Sequence, residues 1–188
     1  MKNSYEPRLK TAYKASLKDL QKQLGLDNVN QVPKLVKVVV SSGTGKHKED
    51  KKYLEVVKNT ITKITGQMPT GRIAKKSIAS FHIRAGLGAP LGYVVTLRDK
   101  KAYEFLDRLI SVVLPQVRDF HGVKSNFDGQ GNYNLGITEQ SVFPELSFEE
   151  LSVLHGIEIT IVVKNGSKEA TKALLTQFGM PFEKKGEK

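Results

Sequence analysis

Residues 54–98 read LEVVKNTITKITGQMPTGRIAKKSIASFHIRAGLGAPLGYVVTLR, so that a helical pattern, a long basic segment and a strand pattern follow one another. Apolar residues in the first part recur at steps of three and four, at Leu54, Val57, Ile61 and Ile64. This spacing predicts a helix that ends at Gly66, and the closing YVVTLR predicts a strand. Residues 71–92 have little apolar content and no sustained period. They predict a long, partly mobile basic loop with one short strand at most.

Helices and strands alternate on both sides of this segment. An apolar stripe from Leu9 to Leu24 predicts an N-terminal helix, and Pro115 interrupts a later helix over 105–113. KLVKVVVSS (34–42) and IEITIVV (157–163) predict strands, and Ser167 is placed to cap a last helix that runs to Phe178. The order predicts an α+β fold, with an antiparallel or mixed sheet and helices on one face. Without repeats or linkers, residues 1–188 are predicted to form a single domain with a disordered tail at 183–188.

Composition argues against disulfide-bonded, membrane-spanning and secreted classes of protein. The chain has 188 residues and no cysteine, so neither disulfides nor thiolate metal sites are available. Its longest apolar runs are strand-sized, which predicts no membrane partner. The opening MKNSYEPRLK has no apolar stretch after its basic residues, so a secretory signal is not expected. These features favour a cytoplasmic protein.

Charge is distributed unevenly along the chain. Thirty Lys and Arg against nineteen Asp and Glu give a formal charge of +11, which is typical of proteins that bind polyanions. Residues 56–98 contain seven basic residues and no acidic one. Residues 125–163, called the acid-rich part below, contain six acidic residues and no Lys or Arg. The pattern predicts one face for nucleic acid and a second face for another partner. The alternative is a basic surface that is merely solvated.

No motif predicts catalysis, a metal or a cofactor. VVVSSGTGKHKED (38–50) resembles a phosphate-binding loop, but Val40 and His47 stand where that motif needs Gly and Ser or Thr. What remains is a backbone at Gly43 and Gly45 that an anion can approach, with Lys46 and Lys48 beside it. Asp128 is the single carboxylate of FDGQGNYNLG, so a calcium cage is not expected.

Within the basic loop, defined as residues 71–92, cations stand beside planar side chains. The loop carries Arg72, Lys75, Lys76 and Arg84, together with Phe81 and His82. Cations follow RNA phosphates, and an exposed aromatic ring can stack on a base. The alternative is that Phe81 and Ile83 anchor the loop to the core.

These segments together resemble the bacterial-type large-subunit ribosomal protein five family over nearly the whole chain. The matching strings include QVPKLVKVVVSSGTG, ITGQMPTGRIAKKSIASFHIRAG, EFLDRLISVVLPQVRDFHG, NFDGQGNYNLGITEQSVFPEL and HGIEITIVV. The resemblance implies a structural, non-enzymatic protein with a curved antiparallel sheet backed by helices. It also implies that the protein binds 5S ribosomal RNA in the central protuberance of the large subunit.

The resemblance further implies which residues bind RNA. The implied rRNA-binding residues are Gln31, Ser41, Ser42, Gly43, Thr44, Gly45, Lys46, Gln67, Arg72, Lys75, Lys76, Ser77, Thr96 and Arg98. The residues implied to contact peptidyl-site tRNA are Ser77, Ala79, Ser80, Phe81, His82 and Arg84. Other implied partners are large-subunit rRNA, neighbouring 5S-associated ribosomal proteins, and a basic small-subunit head protein facing the acid-rich part.

The chain departs from the family pattern at two places. Ser41–Ser42–Gly43–Thr44–Gly45 stands where the family usually has Asn-Met-Gly-Val-Gly, so an Asn amide is lost while the glycine backbone is kept. The segment between Arg84 and Pro90 is about two residues longer than usual. Two other functions stay open: an RNA chaperone outside the ribosome, or an enzyme on RNA or nucleotides that would assemble Asp119, His121 and Asp128.

Overall fold

The computed structural model describes residues 5–47, 49–81, 83–86, 88 and 90–183, so most of the predicted tail lies outside the described residues. Five strands form one antiparallel open sheet in the order β2-β3-β1-β5-β4. The strands are β1 Lys34–Gly43, β2 Thr70–Arg72, β3 Gly92–Arg98, β4 Tyr133–Ile137 and β5 Ile157–Lys164. The helices are α1 Arg8–Gln23, α2 Lys51–Thr65, α3 Asp99–Arg108, α4 Phe148–Leu151 and α5 Lys168–Gln177. This architecture confirms the α+β class.

The local signals for helix ends were informative. Asp50 caps α2 by accepting hydrogen bonds from the amides of Lys52 at 2.9 Å and Tyr53 at 3.3 Å. Gly66 ends the same helix with a φ of 63°, a left-handed conformation that glycine adopts without a steric penalty. Ser167 caps α5 by accepting from the Ala170 amide at 3.1 Å, as predicted.

Pro115 lies shortly after α3, where regular α-helical hydrogen bonding ends but the backbone stays helical for two more turns. Because proline has no N–H and its ring crowds the carbonyl four residues back, the regular ladder cannot continue to this point. Leu109–Val113 widen into a π-turn, in which the Leu114 amide donates to the Leu109 carbonyl five residues earlier. A 3₁₀ turn, Leu114–Gln116, follows.

The structure divides into two compact units, each built from separate stretches of chain. The first contains residues 1–38, 97–135 and 160–188. In it, α1 packs against α3, and Phe178 meets the rings of Tyr13 and Tyr103 edge-on at centroid distances of 6.3 and 6.2 Å. This aromatic cluster fills the core beside α1.

The second unit contains residues 39–96 and 136–159. Here α2 packs against α4, and the side chains of Val57, Ile61 and Ile64 in α2 are fully buried. The unit also contains the basic loop and most of the predicted RNA-binding residues.

Alternating burial along the strands shows which face of the sheet is open. In β3, Tyr93, Val95 and Leu97 are buried, while the residues between them are partly exposed. β5 alternates in the same way, with Glu158 exposed between two buried isoleucines. The open side therefore presents the intervening residues of each strand.

Candidate nucleic-acid interface

A shallow groove of about 630 Å³ lies at one end of the strands of the second unit. It is formed where β1 and β4 end and where β3 and β5 begin. Its lining residues are Ser41–Gly43, Arg72, Ile73, Leu91–Val94, Gly136–Thr138 and Gly156–Glu158. This strand-end groove therefore brings together four predicted RNA-binding residues, Ser41, Ser42, Gly43 and Arg72.

Two hydroxyl side chains near the groove are committed to the fold. Ser42 is 4% exposed, and its hydroxyl donates to the Gly156 carbonyl at 2.7 Å. Thr44 is 1% exposed and donates its hydroxyl to the Pro90 carbonyl, also at 2.7 Å. Both hydroxyl groups therefore hold the fold together. Within β1, Ser42 faces the buried side, while positions 41 and 43 face the open side.

The basic loop is tied at its base by backbone hydrogen bonds. The Leu91 amide donates to the Arg72 carbonyl at 2.8 Å, and the Gly86 amide donates to the Ala74 carbonyl at 3.1 Å. Further out, Ile78 and Ile83 pair in both directions, at 2.9 and 3.1 Å. The strand β2 enters this loop at Gly71 and Arg72 and pairs antiparallel with the start of β3.

Polar side chains in the described part of this loop face solvent. Arg72, Lys75, Lys76, Ser80 and Arg84 are exposed, as is Ala79, and the Ser77 hydroxyl accepts from the Ala85 amide at 2.9 Å. Exposed cations on a closed, anchored loop are suited to follow a phosphate backbone. Phe81 lies in the 3₁₀ turn Ala79–Phe81, and His82 lies outside the described residues.

The remaining predicted residues lie in different places. Gly45 and Lys46 belong to a 3₁₀ turn directly after the groove, and Gln67 donates to the Thr96 carbonyl of β3 at 3.3 Å. Arg98 is exposed at the end of β3, and Gln31 is exposed in the turn Val29–Gln31. Gln31 and Arg98 belong to the first unit, so the second unit carries the rest of the predicted set.

Sequence reasoning missed the wall that β4 and β5 contribute to the groove. Gly136, Thr138, Gly156 and Glu158 line it, yet they lie in the acid-rich part that was assigned to another partner. Only the long-range pairing of β5 with β1 brings them there. The alternation of IEITIVV does place Glu158 on the open face, but it does not reveal the neighbouring strand.

Comparison with known proteins decides the family. A model described as ribosomal protein L5 matches residues 28–84, and a second model, described as the C-terminus of the same ribosomal family, matches residues 90–182. The chain is similar to the large ribosomal subunit protein uL5 of Flavobacterium johnsoniae, with 46% identity over 96% of this chain and 99% of that one. Its identity to the Sulfurimonas denitrificans uL5 is 47%, over 94% and 97% of the two chains. The chain belongs to the ribosomal protein L5 family.

Membership in the L5 family confirms several expectations. The family is one of structural, non-enzymatic proteins of the large ribosomal subunit, and its members reside in the ribosome. None of the helices in the described residues is long and apolar enough to cross a membrane.

The carboxylate of Asp128, which the sequence left open as part of an assembled catalytic cluster, has a structural role. Asp128 belongs to a turn, where its carboxylate accepts from the amides of Gln130 and Asn132 at 2.9 and 2.8 Å. The side-chain amide of Asn132 also donates to this carboxylate. That hydrogen bond is the largest cause of a lowered pKa of Asp128, and the backbone hydrogen bonds lower this pKa further. Within the described residues, no three His, Asp or Glu side chains cluster as metal ligands.

The acid-rich part of this L5 protein contains a separate structural cluster. Gln140 is fully buried and joins three backbone groups: it donates to the carbonyls of Glu150 and Val153 at 3.1 and 2.6 Å and accepts from the His155 amide at 2.8 Å. Burial also lowers the pKa of His155, which is 5% exposed. On the outside of this cluster Phe148 is 92% exposed next to Glu149.

Proposed function

We propose that this protein anchors 5S ribosomal RNA in the central protuberance of the large subunit by binding it through the strand-end groove and the basic loop. The protein acts by positioning RNA and performs no chemistry. The observation that carries the proposal is the acid-free segment 56–98, in which four exposed cations, Arg72, Lys75, Lys76 and Arg84, belong to an anchored loop beside the groove.

Affinity and fit have different sources in this arrangement. Arg72, Lys75, Lys76 and Arg84 displace counterions from RNA phosphates, which gives strong but salt-sensitive binding. The backbone near Gly43 and the open face at Ser41 and Thr96 fit the shape of an irregular RNA region, because the major groove of A-form RNA is too narrow for side chains to read.

Two further contacts belong to the proposal. The outer part of the basic loop, from Ser77 to Arg84, reaches peptidyl-site tRNA. The acid-rich part meets a basic protein of the small-subunit head. There the exposed Phe148 supplies an apolar anchor, and Glu149 beside it supplies a negative charge complementary to such a partner. Large-subunit rRNA and the neighbouring 5S-associated proteins complete the environment.

A competition gel-shift experiment tests the RNA assignment. Purified protein is titrated against labelled 5S rRNA at two salt concentrations, with excess unlabelled RNA of equal length and unrelated sequence. We expect 5S binding to survive the competitor and to weaken as salt rises. Equal competition by both RNAs would contradict the proposal and favour a general RNA chaperone.

A further inference from the structure

We infer that the strand-end groove accepts one unstacked nucleotide of the bound RNA, with its phosphate at Arg72 and an amino-bearing edge of its base at Glu158. The inference rests on the proposed RNA-binding function and deepens it. It assigns a specificity-determining role to Glu158 and Gly136, which lie outside the basic segment.

The first support is open space above two strand glycines. A Cβ built on Gly43 or Gly136 would meet no atom within 4 Å, and neither backbone has a positive φ. The fold therefore requires glycine at neither position, although glycine weakens a strand. Glycine without an internal reason indicates a place where something outside the chain approaches the backbone closely.

The second support is a pair of opposite charges on the groove wall. Arg72 and Glu158 both line the groove, and neither makes a salt bridge within the described part of the chain. A carboxylate repels phosphate, so Glu158 is unsuited to the RNA backbone. It is suited to accept hydrogen bonds from base amino groups such as N4 of cytosine, while a guanidinium binds phosphate readily.

The third support is the size and the apolar wall of the groove. Its volume of about 630 Å³ falls within the range of small-ligand sites. Ile73 stands at its wall with 53% of its surface exposed, and Leu91 and Val94 are half-buried beside it. An apolar wall can pack on the flat face of a base, and sequence-specific RNA recognition depends on bases that have left the stack.

Replacing Glu158→Ala separates base recognition from charge. If Glu158 accepts from a base, we expect 5S affinity to fall about tenfold to a hundredfold. Affinity for unrelated RNA should stay the same or rise, because a negative charge has been removed. Glu55→Ala is the matched control: it removes an exposed carboxylate of the same unit outside the groove, and it should not lower affinity for either RNA.

Filling the groove provides an independent variant. Gly136→Val places a β-branched side chain in a strand where nothing lies within 4 Å, so the fold should keep or gain thermal stability. We expect 5S affinity to fall, whereas Gly129→Val, at a turn glycine that also has open space, should leave it unchanged.

The outcomes distinguish this inference from the proposed function. If the unaltered protein prefers 5S rRNA but Glu158→Ala binds it equally well or more tightly, Glu158 is only a nearby surface charge and the inference is overturned. Retained 5S affinity in a folded Gly136→Val protein would overturn it as well. If the unaltered protein shows no preference for 5S rRNA, the proposed function itself fails.

Discussion

Glu150 is a buried carboxylate held by two partners. It forms an ion pair with Lys63 at 2.5 Å and a capping box with Ser147, and it is 5% exposed. The hydrogen bond from Lys63 is the largest cause, followed by that from Ser147, and together they lower the pKa of Glu150 to about 2 from its ordinary value of 4.5. A lowered pKa means that this stabilisation is complete above pH 4.5 and is lost as the pH falls toward 2.

We therefore expect Glu150→Gln to lower the free energy of unfolding by about 1–2 kcal/mol at pH 7, because the charged hydrogen bonds to Lys63 and Ser147 are weakened. The difference from the unaltered protein should shrink as the pH is lowered below 4.5. Denaturant unfolding between pH 7 and pH 3 measures this, with the exposed Glu149→Gln as control. A difference that is independent of pH would contradict the assignment.

Single residues also show what a sequence can reveal about a site. Ser42 and Thr44 belong to the stretch that the family resemblance assigns to RNA, yet both side chains are buried and bonded to carbonyls. Side chains alternate between the two faces of a strand, so Ser42 follows Val38 and Val40 on the core side of β1. The sequence therefore contained the information that Ser42 is buried. The partner carbonyls, at Gly156 and Pro90, come from distant parts of the chain and could not be predicted.

At the scale of elements, the basic loop depends on Thr44 for its attachment. The Thr44 hydroxyl donates to the Pro90 carbonyl at 2.7 Å, and its amide donates to the Leu91 carbonyl at 2.9 Å. We expect Thr44→Val to leave the Pro90 carbonyl without its hydrogen-bond donor and to lower the free energy of unfolding by about 1–3 kcal/mol. Amide exchange at Gly86 and Leu91 should accelerate, and 5S affinity should fall as the loop loosens.

Thr44→Ser is the matched control, since it keeps the hydroxyl and removes only a methyl group. Exchange rates that are the same in the Val and Ser variants would show that the hydrogen bond does not hold the loop.

Elements with a strong period could be predicted, and those that depend on distant pairing could not. The apolar stripes predicted α1 and α2, and Gly66 predicted the end of α2, because helical hydrogen bonds join residues that are close in the sequence. β2 has three exposed residues and no pattern, so only its pairing with β3 defines it. The four-residue α4 was missed because one turn is too short to show a period.

At the scale of the whole molecule, the uneven distribution of charge predicts where RNA binds. The net charge of +11 alone predicts salt-sensitive binding at any basic surface. The basic loop is distinguished by its freedom from acidic residues and by its position beside the strand-end groove. Placement of charge, rather than its total, should therefore determine 5S affinity.

The dissociation constant for 5S rRNA of the double variant Lys75→Glu, Lys76→Glu tests this claim most directly. A second variant, Lys18→Glu with Lys22→Glu on the exposed side of α1, changes the net charge by the same amount elsewhere. We expect the loop variant to lose at least about tenfold in affinity and to show a shallower salt dependence, because each lost phosphate contact reduces the slope by about one. The α1 variant should bind nearly as the unaltered protein does. Equal losses in both variants, or unchanged binding in the loop variant, would contradict the assignment of the basic loop as the RNA-binding face.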